Sequence, residues 1–134
     1  MKASVINALN KWEKRAFDYG DSDCCQFAGF IVRELTGKDY LAPFSYGSEE
    51  DAYSIIEKHG DLVSTASTVL GDPETDITNL DDGSPVVVSL SEGIQIMGIK
   101  LGDLAVCISK NGMVQIPHQF ILSGWKLCHK PYNF

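Results

Sequence analysis

The segment from Asp23 to Gly37 constrains the fold most, because it carries start, face and stop signals for one helix. Asp23 is a preferred N-cap residue, and Gln26 three positions later approximates a capping box. Thr36-Gly37 supplies the stop signal. Apolar residues recur between these signals at helical spacing, namely Cys24, Phe27, Ala28, Ile31 and Leu35. The pattern predicts an amphipathic helix that begins at Cys24 and buries one face.

The rest of the first half also has helical patterns. Apolar residues at helical spacing predict a helix over the first dozen residues. An acidic first turn after Ser48 predicts a second helix that ends near Gly60, and a short helix is expected over residues 62–70. Residues 72–83 contain proline and several acidic side chains, which predicts a solvated connection.

The second half reads as strands separated by turns. Turn signals occur at Glu92-Gly93, Gly102-Asp103 and Asn111-Gly112, and the last of these is a strong hairpin signal. The predicted strands cover residues 86–90, 94–101, 104–109, 113–116 and 121–127. Helices followed by strands indicate an α+β domain in which N-terminal helices pack on an antiparallel sheet.

Length and charge narrow the classes of function. The 134 residues, 44% of them hydrophobic, predict a single domain over residues 1–134. A formal charge of −7 argues against nonspecific binding to nucleic acid or to anionic membranes. No apolar stretch resembles a signal peptide or is long enough to span a bilayer, so we expect no membrane insertion and synthesis in the cytoplasm.

The four cysteines show no metal-binding pattern. Cys24, Cys25, Cys107 and Cys128 form no CxxC pair, and no histidine pair has zinc-ligand spacing. We therefore expect neither a metal site nor a cofactor. Adjacent Cys24 and Cys25 would need a strained ring to pair with each other, and all four thiols are expected to be reduced.

Cys24 is the candidate nucleophile because of its position. Free N–H groups and the helix dipole lower the pKa of a thiol in the first turn of a helix. The simpler interpretation is that Cys24 and Cys25 are small buried apolar residues. A catalytic cysteine also needs a base and a group that orients the base. Asp23 could orient such a group, but a capping role worth about 1 kcal/mol accounts for it first.

The surrounding motifs resemble two related families. The region around Asp23-Cys24 resembles the nucleophile region of NlpC-type papain-like cell-wall peptidases. The resemblance includes Phe17-Asp18-Tyr19-Gly20 before this pair and Phe27-Ala28 and Leu35-Thr36-Gly37 after it. A second set of features resembles a phage and prophage tail-associated family of unknown function related to that fold. The set consists of Tyr-Gly, Asp-Cys, Thr-Gly with Asp39, Tyr46 and Trp125. The resemblance covers roughly residues 17–126, and each motif is short.

This resemblance implies a papain-like (NlpC-type) domain located in the virion, at the tail tip. The partners that it implies are other phage tail proteins, and bacterial peptidoglycan if the site is active. In the NlpC-type pattern the base histidine begins a strand of the form His-x-Gly-Ile-x-x-Gly. Residues 96–102 follow that form with Ile96 in place of the histidine, and the third polar position falls at Cys107 or Ile108. In this register the site is degenerate.

A rival register takes Gly102-Asp103-Leu104 as the motif before the base strand. It assigns His118 as the base and His129 as the third residue, which gives a catalytic set of Cys24, His118 and His129. We rank it second, because Pro117-His118 has the character of a turn and the distance along the chain from Cys24 is long for the family. The simpler interpretation makes His118 a surface turn residue, His129 a solvated residue near the terminus and His59 a favourable charge at a helix end.

Three functions remain open on these grounds. The first is a virion structural protein that has lost the base and keeps a Cys24 thiol of ordinary reactivity. The second is an active cysteine hydrolase that cleaves peptide or amide bonds in peptidoglycan, with the Cys24 backbone N–H in an oxyanion site. The third is a regulatory or inhibitory protein that uses the acidic residues 72–82 as its contact surface.

Overall fold

Helices α1 (Lys2–Trp12), α2 (Cys24–Thr36), α3 (Glu49–His59) and α4 (Leu62–Leu70) form the first half of the computed structural model, which describes residues 2–12, 18 and 23–127. Ser48 caps α3 and Asp61 caps α4, each accepting a hydrogen bond from the backbone N–H three residues later. Gly37 ends α2 with a φ of 78°, and its N–H donates to the Arg33 carbonyl at 2.8 Å. The helices predicted from the sequence are confirmed.

The second half forms a five-stranded antiparallel sheet with the order β4-β3-β2-β1-β5. The strands are β1 (Pro85–Ser89), β2 (Gln95–Leu101), β3 (Leu104–Ser109), β4 (Gly112–Pro117) and β5 (Ile121–Gly124). The α+β class and the antiparallel sheet are therefore confirmed. Short 3-10 turns lie at Ile77–Asn79, Ser91–Gly93 and His118–Phe120.

The last strand is shorter than predicted. The sequence pattern extends it to residue 127, whereas β5 ends at Gly124. It pairs with β1, and Gly124 lies opposite Val86. The N–H of Trp125 then donates to the carbonyl of Pro85, which is the first residue of β1. Beyond that point β1 offers no further backbone partner, so the strand stops.

Both faces of the sheet are covered. Strand residues on one face pack with α1, α2 and α4, namely Val87, Met97, Ile99, Val106 and Ile108. On the opposite face, Val86, Val88, Ala105 and Cys107 pack with Leu80. Leu80 is only 4% exposed, so the prediction that residues 72–83 are wholly a solvated connection was wrong. No α-helix residue belongs to the described cluster on that face, and Leu80 packs there together with Ile77 of the first 3-10 turn.

None of the described helices combines the length and the apolar content needed to cross a membrane.

Candidate functional site

The N-terminus of α2 is held by a buried carboxylate. Asp23 is 2% exposed, and its Oδ1 accepts hydrogen bonds from the Gln26 N–H at 2.9 Å and from the Tyr46 hydroxyl at 3.0 Å. The predicted capping role is confirmed. Tyr46 also joins the loop before α3 to the Asp23 carboxylate, a contact that the sequence alone did not predict.

Cys24 occupies the first turn of α2 as predicted, and its sulfur is surrounded by hydrogen-bond donors. The thiol of Cys25 donates to it, and the backbone N–H groups of Met97 and Cys25 add to this effect. These bonds lower the pKa of Cys24 below its ordinary value, against the opposing effect of burial. The pKa of Cys25 is raised well above the ordinary value because its thiol donates to Cys24 and because it is buried. Of the two, Cys24 ionises first.

A cavity of about 440 Å³ opens beside these thiols. Its walls are the start of α2, the loop at residues 40–46, helices α3 and α4, the start of β2 and the end of β3. Most of its lining is apolar and includes Phe44, Ile56, Leu62, Ile94, Met97 and Ile108. The volume lies within the range of about 300–1,000 Å³ that is usual for small-molecule pockets.

Two residues of the cavity lining each hold a buried polar atom that has no partner. The Tyr40 hydroxyl and the Gln95 Oε1 are buried and accept or donate no hydrogen bond within the described residues. Tyr40 is 4% exposed, and burial raises its pKa well above the ordinary value. Neither residue was predicted from the sequence, because an isolated tyrosine or glutamine gives no signal until the fold brings it to a cavity.

Strand β2 presents no proton acceptor to Cys24. Successive side chains of a strand point to opposite faces of the sheet. Met97 packs in the cluster that includes Cys24, whereas Ile96, although it contributes to the edge of the cavity, packs in the cluster on the opposite face. Gln95 shares the face of Met97 by this alternation. The residues of β2 that face α2 are therefore an amide and a thioether, and neither takes up a proton near neutral pH.

The structure does not bring His118 to Cys24. His118 is exposed, and its Nδ1 lies 3.1 Å from the Asp103 carbonyl oxygen, beside the start of β3. The cavity lies at the other end of β3, where Ile108 and Ser109 line it. At about 3.3 Å per residue these two ends of the strand are roughly 15 Å apart.

The other candidate residues are not brought to the thiol either. His129 lies outside the described residues. His59 is the last residue of α3, where its Nδ1 lies 2.9 Å from the Ile55 carbonyl oxygen, and it is not part of the cavity lining. Ile108 faces the cavity, but Cys107 lies on the opposite face of the sheet, where burial raises its pKa to about 12.

No group of three potential metal-ligating side chains occurs in the part of the chain that the structure describes. Comparison with known families finds one match, to a model described as a domain of unknown function (DUF6950), over residues 2–127. No curated protein matches the chain.

Proposed function

Given that the chain belongs to the DUF6950 family, whose function is unknown, we propose that it is a non-catalytic structural component of a phage tail tip, or of its assembly, with an NlpC-type papain-like fold. One observation supports the proposed loss of catalytic activity. The thiol at the start of α2 faces a cavity without a histidine in its described lining, and Gln95 and Met97 are the β2 side chains on that side.

This chemistry is incomplete for amide hydrolysis. Attack by a thiolate on an amide forms a tetrahedral intermediate, and the amine leaves only if an acid donates a proton to it. The pKa of Cys24 is lowered, so a thiolate is more accessible than in the thiol of ordinary reactivity that the sequence led us to expect for a structural protein. The Cys25 thiol is a poor acid because its own pKa is raised. A thiolate without a proton donor for the leaving group does not complete the cycle.

The residues that carry the resemblance to the tail-associated family have structural roles here. Asp39 accepts a hydrogen bond from the Leu41 N–H at 3.1 Å, and Tyr46 ties its loop to Asp23. The indole N–H of Trp125 donates to the Gly71 carbonyl at 2.9 Å. These contacts explain how such a motif set can persist for folding and assembly without a catalytic centre.

The test combines particle composition with activity. Phage particles produced with an epitope-tagged copy of this chain are purified on a density gradient, and their tails are probed for the tag. We expect the chain to be present in tails, and a Cys24→Ala allele to support the same titre of infectious particles as the wild type. Absence of the chain from purified tails would contradict the proposal.

An active cysteine hydrolase is the second candidate, favoured by the lowered pKa of Cys24. It requires His118 or His129 to reach the thiol when the substrate binds. Purified wild type, Cys24→Ala and the matched variant Cys25→Ala are incubated with peptidoglycan, and soluble fragments are measured by mass spectrometry. Fragments from wild type and Cys25→Ala but not from Cys24→Ala would establish the hydrolase. Our proposal expects no fragments from any of the three.

A further inference from the structure

We propose that the cavity beside Cys24 is a binding site for a neutral, mainly apolar small molecule that carries at least one N–H or O–H group. This inference goes beyond the proposed structural role and does not depend on it. It rests on the shape of the cavity, on two lining residues that hold unpartnered polar atoms and on the charges around it.

The size and the lining of the cavity suit a compact apolar body. Its volume is about 440 Å³, and side chains such as Phe44, Leu62 and Ile94 line it. An apolar molecule that leaves water for this space gains roughly 25 cal/mol for each Å² of apolar surface that is buried. The Ile94 side chain is 49% exposed, so it presents apolar surface that a ligand would cover.

Two buried polar atoms point to a hydrogen-bonding group on the ligand. The Tyr40 hydroxyl and the Gln95 Oε1 lack partners among the described residues, and both residues line the cavity. A buried polar group without a partner is unfavourable, because it has lost its hydrogen bonds to water and has gained none in return. Small movements of the Gln95 and Tyr40 side chains would bring these atoms to the cavity, where a ligand N–H would donate to Gln95 and a ligand oxygen or nitrogen would accept from Tyr40.

The charges around the cavity favour a neutral ligand. The buried Asp23 carboxylate forms part of the wall and would repel an anion. Within the described lining, Lys110 is the basic residue, and it is already paired with Glu49 at 3.4 Å. A carboxylate or phosphate ligand would therefore find no free positive partner and would lose its hydration on entry.

The experiment uses the neutral fluorescent probe N-phenyl-1-naphthylamine, whose apolar rings carry one N–H, and its anionic relative 1-anilinonaphthalene-8-sulfonate. Each probe is titrated against the full chain and its fluorescence is followed. We expect saturable binding of the neutral probe and at least tenfold weaker binding of the anionic one. No saturable binding of the neutral probe, or equal binding of the two, would overturn the proposal.

Two tryptophan variants test whether the probe binds in this cavity. Ala52 lines the cavity and is half-buried on α3, so Ala52→Trp fills part of the space, whereas Ala3 is exposed on α1 and Ala3→Trp is the matched control. We expect Ala52→Trp to weaken binding at least tenfold and Ala3→Trp to leave it unchanged, with circular dichroism showing that both are folded. Equal binding by the two variants would place the probe elsewhere and reject the site.

Two further measurements test the contacts. Tyr40→Phe keeps the ring and removes the hydroxyl, and Gln95→Leu removes the acceptor. Because the probe N–H pairs with Gln95, we expect Gln95→Leu to weaken its binding about three- to tenfold and Tyr40→Phe to change it less. Saturating probe should also slow alkylation of Cys24 by iodoacetamide at least fivefold. Unchanged alkylation would show that the probe does not occupy this cavity.

Discussion

The Tyr46 hydroxyl donates a 3.0 Å hydrogen bond to Oδ1 of Asp23, the same atom that caps α2. One carboxylate oxygen therefore joins the loop before α3 to the helix that carries Cys24. Burial is the main reason that the pKa of Tyr46 is raised, and the neighbouring Cys25 and Asp23 add to it. Tyr46 consequently keeps its proton, and remains a hydrogen-bond donor, beyond the pH at which an ordinary tyrosine ionises.

Removal of this hydroxyl should destabilise the protein. For Tyr46→Phe we expect a loss of about 1–2 kcal/mol in the free energy of unfolding, because the hydrogen bond is made to a charged acceptor. Urea denaturation followed by circular dichroism measures it. Tyr53→Phe is the matched control, since Tyr53 is 53% exposed and should lose less than about 0.5 kcal/mol. Equal losses in the two variants would contradict the proposed role of Tyr46.

The Cys25 thiol should control the ionisation of Cys24. Cys25→Ala removes the donor and Cys25→Ser replaces it with a hydroxyl, and both leave a single thiol at the start of α2. We expect the midpoint of the pH–rate profile for alkylation by iodoacetamide to be below 9.0 in the wild type and to rise in Cys25→Ala. Near pH 7.5 the alanine variant should react about three- to tenfold more slowly.

Cys25→Ser should lie between the wild type and Cys25→Ala in that profile, because its hydroxyl still donates. Mass spectrometry of the modified peptide identifies the alkylated residue. Coincident profiles for the serine and alanine variants would show that the side chain at position 25 does not set the pKa of Cys24.

Cys107 should make the protein sensitive to alkaline pH. Burial raises its pKa from the ordinary value of 9.0 to about 12. The folded state therefore keeps this proton over a range of pH in which the unfolded state loses it. The raised pKa corresponds to roughly 4 kcal/mol that is fully present below pH 9 and is lost as the pH rises toward 12.

Cys107→Ala tests this dependence. Stability curves from urea denaturation between pH 7 and pH 11 should fall less steeply above pH 9 for the variant than for the wild type. At pH 7 the variant should be less stable by about 1–2 kcal/mol, because it leaves a small cavity. Parallel curves over the whole range would exclude Cys107 as a source of the alkaline instability.

Gly98 should not tolerate a side chain. A Cβ at this position would lie 2.5 Å from the Cys107 sulfur and 2.6 Å from the Val106 carbonyl oxygen. Because the second neighbour is backbone, β2 and β3 would have to separate, and we expect Gly98→Ala to cost more than about 3 kcal/mol. Gly47→Ala is the matched control, since nothing lies within 4 Å of its Cβ. Thermal denaturation of both variants measures the difference, and similar midpoints would refute the steric argument.

Local features of the chain were predictable. The bounds of α2 follow from Asp23, Gly37 and the apolar face between them, and those of α3 and α4 follow from similar signals. The hairpin predicted from Asn111-Gly112 joins β3 and β4 as expected, although its two turn residues are Lys110 and Asn111 and Gly112 is the first residue of β4. In each case a few neighbouring residues determine the backbone conformation, so the information lies within one stretch of sequence.

The order of the strands was not predictable in the same way. β5 follows β4 in the chain but pairs with β1, at the opposite edge of the sheet. Leu80 packs with Val86 and Val88. The β1–β5 pairing joins residues as distant in the sequence as Val86 and Gly124, and no local pattern encodes it. A polar stretch such as residues 72–83 therefore looked solvated, although it covers one face of the sheet.

By itself, the sequence determined the position of Cys24 in the first turn of a capped helix, because capping and helical periodicity are short-range effects. Only the tertiary structure decided what faces that thiol. Strand alternation turns Met97 toward it and Ile96 away, while the sheet register leaves His118 at the far end of β3. The pKa of Cys24 is lowered first by its sequence neighbour Cys25 and then by the Met97 N–H, which only folding brings to the thiol. Folding likewise brings Tyr40 and Gln95 to the cavity beside it.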